Sequence, residues 1–281
     1  MAKIEFGVLG GQAIIVVSGK IINVNERSGG QFSSDPMDVL AHWPAFEKWA
    51  RGVEATGTEA DVDYDALDCP VPKPTAIYGI GLNYADHAKE AGLEFPKQPM
   101  VFAKYPCCIT DATADITLTS NRVDFEAELV VAISREAHKI SEEDAMSYVA
   151  GYSVGQDISD RRQQFSDKPP QFCLGKSAPG YGPCGPVLVT TDGFADPHDI
   201  ALNCFINDEQ VQNSSTKHLI FNVPQLVSFL SQWCILQPGD LIFTGTPAGV
   251  GAVRTPRRYL QPGEVITTNI EGIGQMRNTC V

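Results

Sequence analysis

Short apolar runs, separated by glycine, proline and asparagine, predict a chain built mainly from strands. Near the N-terminus, runs at 13–17 and 20–24 predict two strands, and Ile77–Gly81 and 128–133 have the same character further along. Asn207-Asp208 lies between two more such runs, so it predicts a hairpin turn. The pattern therefore favours a strand-rich fold with tight connections.

Helical patterns are fewer and shorter. Residues 38–50 have the apolar spacing of one or two helices. Ser141 can cap a helix whose first turn is acidic, and Pro224 suits the first turn of another. The predicted apolar stripe of that last helix consists of Leu226, Leu230 and Trp233. Strands and helices together predict an α+β, β-rich fold class.

A proline-rich segment divides the chain into two predicted units. Pro70, Pro72 and Pro74 stiffen the backbone and favour an extended connector. We therefore expect a small N-terminal α+β domain over residues 1–70 and a larger, strand-rich domain over residues 71–281.

Composition limits the classes of partner. Of the 281 residues, 34 are acidic and 21 are basic, which gives a net charge of −13 and disfavours nucleic acid and anionic membrane surfaces. No apolar run is long enough for a membrane-spanning helix, and the N-terminus lacks the apolar centre of a signal peptide. The eight cysteines are scattered without C-x-x-C spacing, so we expect reduced thiols in a cytoplasmic protein.

Two glutamates stand close together in a predicted strand at 123–131. Side chains two apart on a strand share a face, so Glu126 and Glu128 should project side by side. Their mutual repulsion would be relieved by a divalent cation bound through oxygen. The alternative is a pair of solvated acids on an edge strand, and the pair taken alone favours that alternative.

His87 and Glu90 are the second candidate pair. They are three apart in a predicted helical segment and would face the same side. A carboxylate beside an imidazole orients the ring and raises its basicity, as a general base requires. An incidental pair on a solvated helix is the alternative.

A third pattern suggests a different chemistry. Gly151-Tyr152-Ser153-Val154-Gly155 fits the G-x-S-x-G nucleophile elbow of serine hydrolases, with His198 or His218 as a base. That elbow needs a strand before the serine and a helix after it. The segment before it, 142–150, is instead predicted as a helix, and no helical stripe follows. A serine hydrolase therefore remains a minor alternative.

Several segments in register closely resemble the fumarylacetoacetate hydrolase family from about Pro74 to the C-terminus. These segments are Asn83-Tyr84-Ala85-Asp86-His87-Ala88-Lys89-Glu90, Pro99-x-x-Phe102-x-Lys104, Asp124-Phe125-Glu126-Ala127-Glu128-Leu129, Gln156-Asp157-Ile158-Ser159-Asp160-Arg161-Arg162-Gln163-Gln164, Leu174-Gly175-Lys176, Leu236-x-Pro238-Gly239-Asp240 and Thr244-Gly245-Thr246-Pro247.

The resemblance implies a family-type mixed β-roll or sandwich catalytic domain and a metal site. It implies that the metal ligands are Glu126, Glu128 and Asp157, and that the cation is Mg²⁺ or Mn²⁺, with Ca²⁺ as a further option. By the same resemblance, His87 and Glu90 activate water on a mobile lid segment.

The resemblance also assigns positive and substrate-contacting groups. Lys176 would stabilise negative charge on a substrate oxygen, although it and Arg161 could equally form ion pairs with the metal carboxylates. The positions that match substrate contacts are Arg161, Gln164, Thr246 and Tyr84.

The predicted activity is hydrolysis of a carbon–carbon bond in a 1,3-diketo or acylpyruvate-type acid through a metal-stabilised enolate. Decarboxylation of an oxaloacetate-type β-keto acid and isomerisation of a dioxo acid on the same site are alternatives, and so is a degenerate, non-enzymatic binding protein. The resemblance implies a small-molecule keto acid or diketone as partner and a homodimer.

Three departures from the family pattern leave the substrate open. Arg162 stands where aspartate is frequent, residues 177–182 replace a more aromatic loop, and Cys107-Cys108 is unusual at its position. All three are expected near the pocket.

Overall fold

A computed structural model describes residues 3–90 and 92–281. In this part of the chain the strands are β1 (Glu5–Leu9), β2 (Gln12–Val17), β3 (Lys20–Asn23), β4 (Ile77–Gly81), β5 (Met100–Lys104), β6 (Ile109–Thr110), β7 (Val123–Asp124), β8 (Ala127–Ile133), β9 (Val149–Gln156), β10 (Ser159–Asp160), β11 (Gly182–Val189), β12 (Ala201–Ile206), β13 (Glu209–Ser215), β14 (Leu241–Phe243), β15 (Val265–Ile270) and β16 (Gly274–Thr279).

The helices are short by comparison. They are α1 (Val24–Arg27), α2 (Pro36–Ala41), α3 (Trp43–Ala50), α4 (Ala85–Glu90), α5 (Glu142–Ala145), α6 (Arg161–Gln164), α7 (Phe172–Gly175) and α8 (Val223–Trp233). Over the described residues, none of them is both long and apolar enough to cross a membrane.

The strands form one large sheet and two smaller ones. The large sheet has the order β3-β2-β1-β11-β9-β8-β14-β4-β5, and β6 pairs with β11. A four-stranded sheet has the order β13-β12-β15-β16, and β10 pairs with β7. The predicted α+β, β-rich class is confirmed, as is the hairpin at Asn207, whose left-handed φ of 52° suits a tight turn.

The two central strands form the rigid middle of the large sheet. Every residue of β8 and β9 is buried. Alternate β8 side chains enter opposite apolar clusters: Leu129 and Val131 pack in one, and Val130 and Ala132 in the other. Because β8 is packed on both faces, a group at its edge is held in place by the core.

The N-terminal strands continue the large sheet. Strand β1 pairs antiparallel with β11 through Glu5 and Val189. Phe6 on β1 also packs edge-on against Trp43 and Phe46 of α3, with ring centroids 5.6 Å apart in both pairs. The sheet is therefore continuous across residue 70, and a domain boundary there stays a prediction.

Helix α8 begins where the sequence places it and departs from the prediction at its end. Asn222 and Gln225 form a reciprocal capping box. Leu226 and Leu230 are buried, but Trp233 is 79% exposed, so the predicted stripe is wrong at its last member. The core covers this face of α8 only as far as Leu230.

The serine-hydrolase alternative is wrong. Ser153 lies in the middle of β9, is 1% exposed, and donates a hydrogen bond of 3.0 Å to the Val187 carbonyl. The predicted helix before it ends at Ala145, and β9 continues to Gln156 after it. A nucleophile must stand at an exposed strand-to-helix turn, which this serine does not.

Candidate active site

The candidate site begins at a break between two strands. A continuous strand was predicted over 123–131, but β7 ends at Asp124 and β8 begins at Ala127. At the break, the Glu126 N–H donates to Gln156 Oε1 at 2.8 Å and the Ala127 N–H donates to Gln212 Oε1 at 2.9 Å. These buried side chains satisfy the two amides and hold the break in one conformation.

The break brings three buried carboxylates together. One ligand oxygen from each of Glu126, Glu128 and Asp157 lies within 4.8 Å of the others. Asp157 follows β9, and its N–H donates to the Glu126 carbonyl at 2.9 Å. Carboxylate oxygens are the donors that Mg²⁺, Mn²⁺ and Ca²⁺ prefer, so this donor set fits a divalent cation.

Glu128 is the least compensated member of the triad. Burial raises its pKa well above the usual range, and the charges of Asp157 and Glu126 raise it further. Its Oε2 accepts the Gly245 N–H at 2.8 Å. Gly245 has φ +101°, and a Cβ there would lie 2.8 Å from Asn83 Cβ, so only glycine suits this position.

Two cations predicted as site residues are ion-paired within the cluster. Lys176 Nζ donates to Glu126 at 2.8 Å, to Asp157 at 2.6 Å and to the Ser159 hydroxyl at 2.7 Å. Arg161 donates to Asp124 at 2.9 Å and also to Glu126. The ion-pair alternative for these two residues is therefore observed. Burial alone would raise the pKa of Glu126, but Lys176 and Arg161 hold it well below its usual range.

Lys176 has all three ammonium protons directed at these acceptors. It therefore stabilises the ionised carboxylates directly. Contact with a substrate oxygen would require it to release one of the three bonds.

Lys104 is a site residue to which the sequence assigned no role. Its fully buried ammonium donates to Asp157 Oδ1 at 2.6 Å, to the Tyr181 carbonyl at 3.0 Å and to the Lys176 carbonyl. Burial would lower its pKa, but Asp157 raises it above the ordinary value. The sequence signal was a single lysine at the end of an apolar strand, in the Phe102-x-Lys104 segment.

When all four of its carboxylates are ionised, the buried cluster carries one more negative than positive charge. Its carboxylates are Asp124, Glu126, Glu128 and Asp157, and its cations are Lys104, Arg161 and Lys176. A divalent cation would make the cluster net positive by one. A cluster with a net positive charge would attract an anionic ligand, whereas the negative charge of the whole protein repels one.

A cavity of about 330 Å³ opens beside the cluster. Its polar end contains most of the predicted site residues, and the remainder of its wall is apolar. The polar lining consists of His87, Glu126, Arg161, Gln164, Lys176 and Thr246. Folding thus gathers segments from five distant parts of the chain around one small-molecule-sized space.

The predicted His87–Glu90 pair shares one face of α4. His87 Nδ1 lies 3.6 Å from Glu90 Oε2, which is slightly beyond hydrogen-bond distance, and that oxygen accepts the Gly249 N–H at 3.0 Å. Within residues 3–90 and 92–281, the buried His87 Nδ1 has no hydrogen-bond partner. His87 therefore reaches the cavity as an acid–base group with an uncommitted nitrogen.

Two other predicted substrate contacts differ in position. The Thr246 hydroxyl lines the cavity but donates to the Ala127 carbonyl at 2.9 Å and accepts from Gln212 at 2.7 Å. Tyr84 is fully buried and is not part of the cavity wall. The geometry does not support a direct ligand contact for Tyr84, because the side chain is covered by the core.

The departures from the family pattern lie outside this cavity wall. Arg162 and Cys107 are exposed, and the segment 177–182 that follows Lys176 is partly buried, with Tyr181 covered and Pro179 exposed. Arg162 and the segment 177–182 directly follow the lining residues Arg161 and Lys176, so these two departures lie near the pocket, as expected. The residues in the cavity wall therefore matter more for substrate choice.

Gln212 should stabilise both the strand break and the cation site. Its side-chain oxygen accepts the Ala127 N–H, and its side-chain nitrogen donates to the Thr246 hydroxyl and to the Pro247 carbonyl at 2.9 Å. Gln212→Leu should lower the free energy of unfolding by about 1–3 kcal/mol, because it leaves these buried groups without partners. Thermal unfolding measures the effect on stability, and Mn²⁺ titration measures the effect on the cation site. Gln210→Leu, at an exposed position on the same strand, should change neither, and an equal effect of both variants would contradict the assignment.

The fold and site together define a class of enzyme in which a buried acidic cation site opens into a small-molecule cavity. The chain belongs to the fumarylacetoacetate hydrolase family. Residues 76–281 match the family described as "Fumarylacetoacetate (FAA) hydrolase C-terminal", which confirms the resemblance noted in the sequence.

Relatives and a solved structure agree with this membership. A "Fumarylacetoacetate hydrolase domain-containing protein 2 homolog" from Dictyostelium discoideum is 39% identical over 246 residues, which cover 83% of this chain and 81% of the relative. "Oxaloacetate tautomerase FAHD2A, mitochondrial" from Bos taurus is 39% identical over 214 residues, 75% of this chain and 68% of the relative. A crystal structure described as a candidate HpcE protein from Mycobacterium smegmatis is 41% identical to this chain and has a TM-score of 0.93. The match covers 100% of this chain and 99% of that structure.

Proposed function

We propose that this protein is a divalent-metal-dependent enzyme that interconverts the keto and enol forms of 2-oxo acids. The observation that carries the proposal is the cavity in which His87 accompanies the buried carboxylate–lysine–arginine cluster. A relative named oxaloacetate tautomerase, 39% identical over 75% of this chain, supports the reaction class.

Each lining residue has a role in this proposal. Arg161 and Gln164 orient the substrate carboxylate at the polar end, while Lys104 pairs with Asp157 and Lys176 with Glu126 in the cluster. When held by Glu126, Glu128 and Asp157, a divalent cation supplies positive charge that stabilises an enolate. Mg²⁺ and Mn²⁺ suit three carboxylates best, and Ca²⁺ is the further option.

His87 moves the proton. In the keto-to-enol direction, His87 takes the proton from the C–H bond beside the carbonyl, the electron pair of that bond forms the C=C bond as the C=O π bond breaks, and His87 then returns the same proton to the oxygen. The balance requires no water, oxidant or second base. One titratable side chain in the cavity is sufficient for this reaction.

Hydrolysis of a carbon–carbon bond is the second candidate, and the His87–Glu90 pair favours it. Hydrolysis consumes a water, which a histidine oriented by a carboxylate could activate. The 3.6 Å gap and the Gly249 contact of Glu90 leave this orientation incomplete, so we place hydrolysis second.

Three parallel assays distinguish the candidates. The enol absorbance of oxaloacetate follows tautomerisation, loss of the diketone absorbance of acetylpyruvate follows hydrolysis, and pyruvate release from oxaloacetate follows decarboxylation. We expect the first to be fastest with Mg²⁺ or Mn²⁺ and to be abolished by a chelator. If hydrolysis or decarboxylation is faster, that reaction becomes the assigned activity, and full activity in the presence of a chelator would contradict the metal site.

A homodimer and a cytoplasmic location stay predictions.

A further inference from the structure

We propose that the apolar part of the cavity selects 2-oxo acids that carry an uncharged, apolar substituent. This inference rests on the proposed function for the 2-oxo acid group and concerns only the remainder of the ligand. The polar end needs a compact acid, but the cavity wall continues well beyond it. The apolar lining consists of Leu82, Leu93, Met100, Phe102, Phe165 and Phe172.

Two of these side chains form a flat apolar wall. Phe102 on β5 and Phe172 on α7 stack with ring centroids 5.8 Å apart and an interplanar angle of 28°. Phe102 lies next to the cluster, because Lys176 Nζ is 5.2 Å from its ring centroid. The apolar wall therefore begins directly beside the polar end, and one ligand can contact both.

Three other lining residues remain exposed to solvent. Leu93 is 55% exposed, Phe165 is 56% exposed and Met100 is 40% exposed. Grouped exposed apolar side chains at a cavity mark a surface that a ligand covers. Their continuity with the cavity that holds His87 and Arg161 indicates that the occupant is part of the substrate.

The charge of the cavity wall disfavours a carboxylate at the end of a chain that extends into the apolar part, as in 2-oxoadipate, whereas the shorter oxaloacetate does not extend that far. Among the described lining residues, the permanent cations are Arg161 and Lys176, and both belong to the carboxylate cluster at the polar end rather than to the apolar part. A carboxylate placed against Phe172 would lose its hydration without gaining a partner, which is unfavourable. A methyl or methylene group at the same place gains free energy by burial.

The size of the cavity agrees with this preference. Its volume of about 330 Å³ lies at the lower end of the range for drug-sized ligands, ~300–1,000 Å³. A substrate of pyruvate size would leave the apolar part to water. A substituent of several carbon atoms would cover Phe102 and Phe172.

The test is the affinity of unbranched 2-oxo acids for the Mg²⁺-containing protein, measured by calorimetry from pyruvate to 2-oxooctanoate. We expect Kd to fall by about fourfold for each added methylene until the cavity is full. 2-Oxoadipate, which has a second carboxylate, should bind more weakly than 2-oxohexanoate. These measurements require no turnover, so they do not depend on which reaction the enzyme performs.

Phe172→Ala should flatten this dependence on chain length, because it should weaken the binding of 2-oxooctanoate more than that of pyruvate. Leu174→Ala is the matched control, because Leu174 lies on the same helix, is 55% exposed and does not line the cavity. It should retain the wild-type dependence. A flat series in the wild type, tighter binding of 2-oxoadipate, or equal effects of both variants would overturn the inference alone. Absence of binding by every 2-oxo acid, pyruvate included, would overturn the proposed function as well.

Discussion

Glu128→Gln is expected to abolish divalent-cation binding while the metal-free fold stays intact. Glu128 is one of three carboxylates that converge within 4.8 Å. Loss of groups that only orient metal ligands already costs about 10–100-fold in affinity, so loss of a ligand should exceed that. Turnover should fall with the affinity, because the site loses its cation.

The stability expectation follows from the pKa of Glu128. Burial, together with Asp157 and Glu126, raises this pKa above the unfolded value. The folded protein therefore holds the proton more tightly, and the metal-free fold loses stability as the pH rises from the unfolded pKa towards the folded one. A neutral glutamine does not ionise, so at neutral pH the metal-free variant should be at least as stable as the wild type.

Mn²⁺ titration and thermal unfolding of the metal-free proteins test both halves of this prediction. Glu126→Gln is the contrasting variant, because Glu126 pairs with Lys176 and Arg161. Removing its charge takes one of two carboxylate partners from each of these buried cations and should destabilise the fold by about 3–5 kcal/mol. Wild-type cation affinity in Glu128→Gln would show that the triad is not a metal site.

His87→Asn is expected to lower turnover by about 10²–10⁴-fold while cation affinity stays at the wild-type value. His87 lines the cavity, and its buried Nδ1 is uncommitted over the described residues. It makes no contact with the carboxylate triad among the hydrogen bonds and ion pairs of those residues. Catalysis and metal binding should therefore separate at this position.

The measurements are kcat in whichever of the three assays gives the fastest turnover, and Kd for Mn²⁺. His198→Asn, at an exposed histidine outside the cavity, is the matched control and should change neither. Glu90→Gln separates the two candidate reactions, since hydrolysis should depend strongly on Glu90 and keto–enol conversion only weakly. Wild-type turnover in His87→Asn would remove this histidine from the mechanism.

Local sequence predicted the elements that depend on local chemistry. The Ser141 cap of α5, the position of Pro224 in the first turn of α8, the hairpin at Asn207 and strand Ile77–Gly81 follow from residue type and spacing, and all are confirmed. Helix α4 likewise places His87 and Glu90 on one face, because residues three apart on a helix are neighbours.

Long-range hydrogen bonds decided what local pattern could not show. The sequence of 123–131 has uniform strand character, yet Gln156 and Gln212 interrupt it from positions far along the chain. Lys104 is similar, since an ordinary lysine becomes a site residue only because β5 carries it into contact with Asp157. Trp233 and Ser153 show the converse, because their patterns suggested roles that their exposure and burial exclude.

The sequence by itself determined the strand-rich class, the Glu126–Glu128 pair and the His87–Glu90 pair, because residue identity and short spacing define them, and it supplied Asp157 through the resemblance to the family. The tertiary structure decided how these groups are connected. It placed both oxygens of Asp157 against lysines, covered Tyr84, and set an apolar wall beside the charged cluster. Such contacts join residues distant in the chain, and only the packing of the sheets brings them together.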